Sequence, residues 1–251
     1  MTEAPAFGAD EGGAAPAQRV PSRQTRMLAG ALASALAAVF LALGIWQVER
    51  RAWKLDLVAR VDARVHADPV DAPARADWRS ISRAEHEYRR VRLAGRILHD
   101  RDARVLAVTE RGPGSWLMTP LATEAGDIVL VNRGFVASGA ALEPDQAADT
   151  VTVTGLLRMP EPGGGFLRSN DPAAGRWYSR DVAAIAAAQG LGPVAPFFVD
   201  ADGSGNGPGR PVGGLTVVSF RNQHLVYALT WFALAAMAGA GGLLFARRQP
   251  R

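Results

Sequence analysis

Two runs of 22 residues without a charged side chain, Met27 to Val48 and Leu225 to Ala246, constrain this chain more than any other feature. At ~1.5 Å of rise per residue, a helix of that length covers the roughly 30 Å hydrocarbon core of a bilayer. The second run closes on Arg247 and Arg248. Trp46 and Gln47 near the end of the first run suit a membrane interface, as do Tyr227 and Trp231 near the start of the second. The sequence therefore predicts a multi-pass chain with spans over 27–48 and 224–246. A cleaved signal peptide is the competing reading of the first run, with Ala33-Ser34-Ala35 as the cleavage site. That triplet falls in mid-run, however, with Ala37 to Ile45 still apolar beyond it, so an uncleaved anchor is expected. A buried core helix is the competing reading of the second run, and its charge-free length argues against that.

Small residues recur every four positions in the first run, at Gly30, Ser34, Ala38 and Ala42. The second carries Ala235 with Gly239 and Ala238 with Gly242. Such stripes let helices approach closely, although an alanine-rich composition produces them too. Orientation is less sharply written. Arg19, Arg23 and Arg26 precede the first run, while Arg50, Arg51, Lys54 and Arg60 follow it. Arg247, Arg248 and Arg251 outnumber Arg210 and Arg221 around the second. Long intervening domains translocate largely regardless of charge. Both termini are expected in the cytoplasm.

Charge and composition close off several classes. The 28 basic and 24 acidic residues give a net charge of +4, and no basic stripe threaded with aromatics appears. No nucleic-acid partner is expected. Cysteine is absent, which excludes disulfides, thiolate metal sites, covalent haem attachment through Cys-x-x-Cys-His and thiol catalysis.

Residues 1–26 are rich in Ala, Gly, Pro and charge and read as a disordered tail; 247–251 form a second short tail. Between the spans lies a domain over 49–223. It opens with Val58, Val61 and Val65 at helical spacing, so the first helix is expected to continue as an amphipathic stalk ended by Pro69 and Pro73. Strand-like runs follow at Tyr88–Leu98, Ala103–Thr109, Ser115–Leu121, Ile128–Val136, Val151–Leu157 and Pro196–Asp200, with a last strand at Leu215–Phe220. One short helix is expected from about Arg180 to Gln189, capped by Ser179 and stopped by Gly190. Residues 201–214 read as a flexible loop. Closely spaced strands with one helix predict an α+β membrane protein, in which two transmembrane helices flank a mainly antiparallel sheet or small barrel.

The domain offers little chemistry. His66, His86 and His99 are scattered, without metal-ligand spacing, and read as solvated or internally satisfied. No Gly-x-Ser-x-Gly elbow appears. Gly163-Gly164-Gly165 lacks the context of a phosphate loop and reads as a turn. Glu85 and Glu87 read as solvated. No enzyme is expected.

His224 differs, because it stands at the mouth of the second apolar run. Tyr227, Ala228 and Trp231 follow at i+3, i+4 and i+7 on its face. An imidazole there could ligate an iron while a flat apolar ring system lies against the aromatics. It could equally anchor the helix among headgroups. At the end of the first run, Trp46, Arg50 and Trp53 share a face. Arg50 or Arg51 could pair with carboxylates such as haem propionates, or belong to an ordinary aromatic-basic belt.

These two ends, read together, resemble the surfeit-locus family of cytochrome c oxidase biogenesis proteins. The first carries Leu43-Gly44-Ile45-Trp46-Gln47 with Arg50, Trp53 and Lys54. The second carries Pro211-Val212-Gly213-Gly214, then Arg221-Asn222-Gln223-His224-Leu225 with Tyr227, Thr230 and Trp231. Between them, in the family's order, stand Gly112-Pro113-Gly114, Thr119-Pro120-Leu121, Val131-Asn132-Arg133-Gly134-Phe135-Val136 and Trp177-Tyr178-Ser179-Arg180-Asp181. Phe135 and Ala137 depart from the family's Trp and Pro, at what is expected to be a sheet edge.

The resemblance implies an assembly factor that helps deliver haem a to the catalytic subunit of a haem-copper oxidase, with His224 as iron ligand. Gln47, Tyr227, Trp231, Trp46, Arg50 and Arg51 would line its site. A cofactor-free scaffold that holds the nascent subunit is the alternative. The implied partners are that catalytic subunit, the haem a synthesis machinery and the lipid bilayer. The implied location is the bacterial inner membrane, with the main domain periplasmic.

Overall fold

The computed structural model describes residues 22–143, 150–165, 167–218, 220 and 222–247. The proposed tail over 1–21, Arg221 and residues 248–251 lie outside them. The chain divides into two compact units, one holding the apolar helices and one spanning Leu55–Phe220.

Two helices are long and apolar enough to cross a membrane: α1, Arg23–His66, and α4, His224–Arg247. They pair antiparallel. Ala33 meets Gly242, Phe40 stacks on Trp231 with ring centroids 5.6 Å apart, and Gly44 abuts Phe232. The covered positions of α1 include Gly30, Ala33, Ala37, Phe40, Gly44 and Gln47, at alternating steps of three and four. Those of α4 include His224, Ala228, Trp231, Ala235, Ala238 and Gly242. This is the seven-residue repeat of two helices packed along a seam. The stripe Gly30-Ser34-Ala38-Ala42 is therefore not the contact, since Ser34, Ala38 and Ala42 are exposed. Residues spaced strictly by four advance about 40° around a helix at each step and leave the seam.

The Leu55–Phe220 unit begins with the stalk, which runs unbroken to His66 and buries Val61. Arg64 Nη2 donates to the Ala84 carbonyl at 2.7 Å, in the short helix α2, Arg83–His86. A cation at a helix C-terminus satisfies carbonyls that the helix leaves unpaired.

Seven strands follow: β1 Val70–Asp71, β2 Arg90–Ile97, β3 Ala103–Thr109, β4 Gly112–Thr123, β5 Ile128–Ala137, β6 Val151–Arg158 and β7 Val194–Ala201. Their order is β1-β2-β6-β7-β5-β4-β3, and a further pairing of β2 with β4 closes five of them into a barrel-like ring. All pairings are antiparallel except β1 with β2 and β5 with β7. The sheet is thus mixed, where the sequence predicted a mainly antiparallel one. β1, two residues long between Pro69 and Pro73, is too short to show a period of two.

Alternation along the strands builds two cores. Val129, Val131, Phe197 and Val199 join Val91, Leu93, Leu121 and Leu157 in one. Leu130 and Phe198 face the other way, onto α3, Val182–Ala188, through Val182 and Ile185. Asp181 caps α3 by accepting from Ala184 N at 3.1 Å. Ser179, the residue expected to cap it, instead accepts from Gly164 N at 3.0 Å and so holds the glycine turn. Phe135 lies 3% exposed between Trp116 of β4 and Val212, not at a sheet edge.

Leu215–Phe220 forms no strand among its described residues. The barrel leaves β7 no free edge, since β5 and β6 flank it. Residues 202–216 instead run as a strap fixed by side chains. Gly213 N donates to Asn206 Oδ1 at 2.6 Å and Gly214 N to the Ala201 carbonyl at 3.0 Å. The strap passes so close to β5 that a Cβ on Gly134 would stand 2.3 Å from the Val212 carbonyl carbon. Thr216 Oγ1 reaches Asp200 Oδ2 at 2.9 Å.

Asp200 is the centre of a buried polar network. At 3% exposure it accepts from Asn132 Nδ2 at 2.8 Å, Arg158 Nη1 at 2.8 Å and Arg180 Nη1 at 3.2 Å. Glu161 pairs with Arg180. Glu87 is also 5% exposed rather than solvated, held by Arg83 at 2.6 Å and near Arg158 at 3.7 Å. Three guanidiniums face three carboxylates there, and neutrality of this kind makes charge burial tolerable.

Candidate functional site

The helix pair places His224 opposite Gln47. Each stands on its seam at one end of the pair, with the Phe40–Trp231 stack along the same interface. His224 Nδ1 lies 2.7 Å from Gln47 Oε1. A carbonyl oxygen can only accept, so this contact puts the imidazole proton on Nδ1. The lone pair is left on Nε2, which makes no hydrogen bond among the described residues. A hydrogen bond on one ring nitrogen fixes the tautomer and orientation of a ligating histidine and raises its basicity. Asn222 Oδ1, two residues earlier, is buried and accepts no hydrogen bond.

The other expected site residues sort by their place on the seam. In an antiparallel pair, the residue one position before a seam residue emerges on the same side from both helices. Trp46 precedes Gln47, Arg50 precedes Arg51, Trp53 precedes Lys54, and Tyr227 precedes Ala228. All four therefore lie along one side of the pair, and all are exposed, Trp46 and Tyr227 to 53% each. The Arg50 guanidinium sits over the Trp53 ring, 4.1 Å from its centroid. Arg51 is half-buried.

Trp231 differs from expectation. It packs the seam against Phe40 and is not an open wall beside the imidazole. Gly44, Phe232 and Phe40, which seat the two helices, went unremarked in the sequence reading. The seven-residue repeat of small and aromatic residues is the signal that finds them.

Among the described residues, no three His, Cys, Asp or Glu side chains come together in a way that could hold a metal ion. The arrangement fits a group that needs one imidazole from the protein, an apolar surface and guanidinium partners for acidic substituents. A haem has those needs.

The profile of the SURF1 family matches residues 34–236. Surfeit locus protein 1 of Mus musculus is 35% identical over 214 residues, covering 77% of this chain and 68% of that protein. The Homo sapiens protein of the same name is 34% identical over 215 residues, 77% and 69% of the two chains. A SURF1-like protein of Monosiga brevicollis is 32% identical over 228 residues, 84% of each. The match takes in both helix ends of the candidate site and the whole barrel, and the chain belongs to the SURF1 family.

Proposed function

We propose that this chain is a membrane-anchored assembly factor for a haem-copper cytochrome c oxidase, carrying haem a to the catalytic subunit as cargo and catalysing no reaction itself. The observation that carries the reading is the Gln47–His224 hydrogen bond, which readies Nε2 of the imidazole as a ligand. The iron and the flat apolar macrocycle are supplied by the haem. The chain's own residues do the rest. Gln47 holds the imidazole in one tautomer, Trp46 and Tyr227 offer apolar faces, and Arg50 and Arg51 offer guanidinium forks shaped for carboxylates. Trp231, braced on Phe40, keeps the seam closed behind them.

The two apolar helices are read as spans of a bacterial inner membrane, with both termini cytoplasmic and the barrel periplasmic. Two crossings return the chain to the side it started from. The catalytic subunit is the receiving partner and the haem a synthesis machinery the donating one.

Absorption spectra of the purified protein, from cells that make haem a, test the proposal. The wild type is expected to show a haem band. His224→Ala is expected to lose it while circular dichroism of the barrel is unchanged. A wild type that carries no haem, and still co-purifies with the catalytic subunit, would instead establish a cofactor-free scaffold.

A further inference from the structure

We infer that the barrel has a ligand site of its own: a pocket for a small amphiphile with an anionic head, carboxylate or phosphate, and a short apolar tail. A cavity of about 380 Å³ opens at one end of the ring, within the range of small-molecule pockets, and barrel mouths are a common place for them. Its floor is aliphatic, from Ile97, Val131, Val151 and Val153. Its rim carries Arg133, Arg210 and His99.

The rim's one acid does not cancel that charge for a ligand, because it is already engaged. Asp202 accepts from Ser204 N at 3.0 Å and from the Ser204 hydroxyl at 2.5 Å, and its other oxygen lies 3.5 Å from the Arg90 guanidinium. Asp102 and Glu143 line only a second cavity, of about 300 Å³, which shares His99, Arg133, Arg210 and Pro211 with the first. Asp102 is itself held by Thr119 Oγ1 at 2.5 Å. The first cavity therefore combines a greasy floor with two guanidiniums at its mouth. That pairing selects a molecule with a charged end and an apolar body over one that is wholly polar or wholly apolar. A fatty acid and a single-chain membrane phospholipid share this chemistry. The site lies entirely within the barrel and does not depend on what the helix pair binds.

Calorimetric titration of the full chain in lipid nanodiscs, against empty nanodiscs, tests it with octanoate, octyl phosphate and octanol. At least one anionic probe is expected to saturate with a Kd below about 1 mM, and octanol to bind at least about tenfold more weakly. Preference for octanoate points to a free fatty acid, and preference for octyl phosphate to a lipid. Arg210→Gln, at an exposed position where folding is not at risk, is expected to weaken the anionic probe at least about tenfold and to leave octanol unchanged. Val151→Phe is expected to block every probe. The inference is overturned if no probe saturates, if octanol binds as well as the anions, or if Arg210→Gln binds them like the wild type.

Discussion

Gly44→Ile is expected to prise the two apolar helices apart and to break the His224–Gln47 contact with them. A Cβ at position 44 would stand 2.4 Å from Cε1 and 2.6 Å from Cδ1 of the Phe232 ring. Real side chains do not approach so closely, and isoleucine adds two further branches at that point. Phe232 is itself half-buried in the seam beside the Phe40–Trp231 stack, so the ring has to swing or the helices have to separate. Overpacking of this kind costs about 1–3 kcal/mol. Gln47 lies one turn further along α1, so the change reaches the site without touching a site residue. Near-ultraviolet circular dichroism should lose the signal of the stacked Trp231, and the purified protein should retain at least about tenfold less haem, the equivalent of about 1.4 kcal/mol. Gly30→Ile is the matched control. Nothing lies within 4 Å of a Cβ there, and both readouts should be unchanged.

Asp200→Ala is expected to be the most damaging single change in the barrel. The carboxylate accepts from two guanidiniums, an amide and a hydroxyl, and its loss leaves Arg158 and Arg180 facing each other at 13% exposure each. Removing one side of a buried ion pair typically costs about 3–5 kcal/mol. The thermal unfolding midpoint should fall by roughly 10 °C for a domain of this size. Asp200→Asn keeps the shape and some of the hydrogen bonds, and should fall between the two.

The same network is expected to be acid-labile. Burial pushes the Glu161 carboxyl up, but the hydrogen bond and charge of Arg180 outweigh burial and hold it below the usual glutamate range. A carboxylate depressed by folding stabilises at neutral pH and loses that contribution as the pH drops through its folded value. Unfolding midpoints should therefore fall with acidification below about pH 4.5, and less steeply in Glu161→Gln.

Much of this fold is legible in the sequence, because it is written in patterns of short range. β3 falls on the residues the alternation marks, Ala103–Thr109, and β5 within one residue of them. The closure of the ring is not legible, because the β2–β4 pairing depends on which strand ends meet and not on either strand's own pattern. Leu215–Phe220 looks like a strand locally and fails as one because no edge remains to receive it. Glu87 looks solvated in the polar stretch around it, and is buried because Arg158, far along the chain, comes to meet it. At the helix pair, the sequence marks His224 and Gln47 separately. That they touch follows only from the antiparallel seam, which a spacing of four residues does not trace and a seven-residue repeat does.

Haem affinity of Gln47→Leu, measured beside the wild type and His224→Ala, bears most directly on the role given to this pair. If the amide fixes the imidazole as a ligand, Gln47→Leu should retain a histidine-ligated spectrum but bind about 10–100-fold more weakly, the usual cost of losing such a supporting hydrogen bond. His224→Ala should not bind at all. Wild-type affinity in Gln47→Leu, or an unchanged haem spectrum in His224→Ala, would contradict the site.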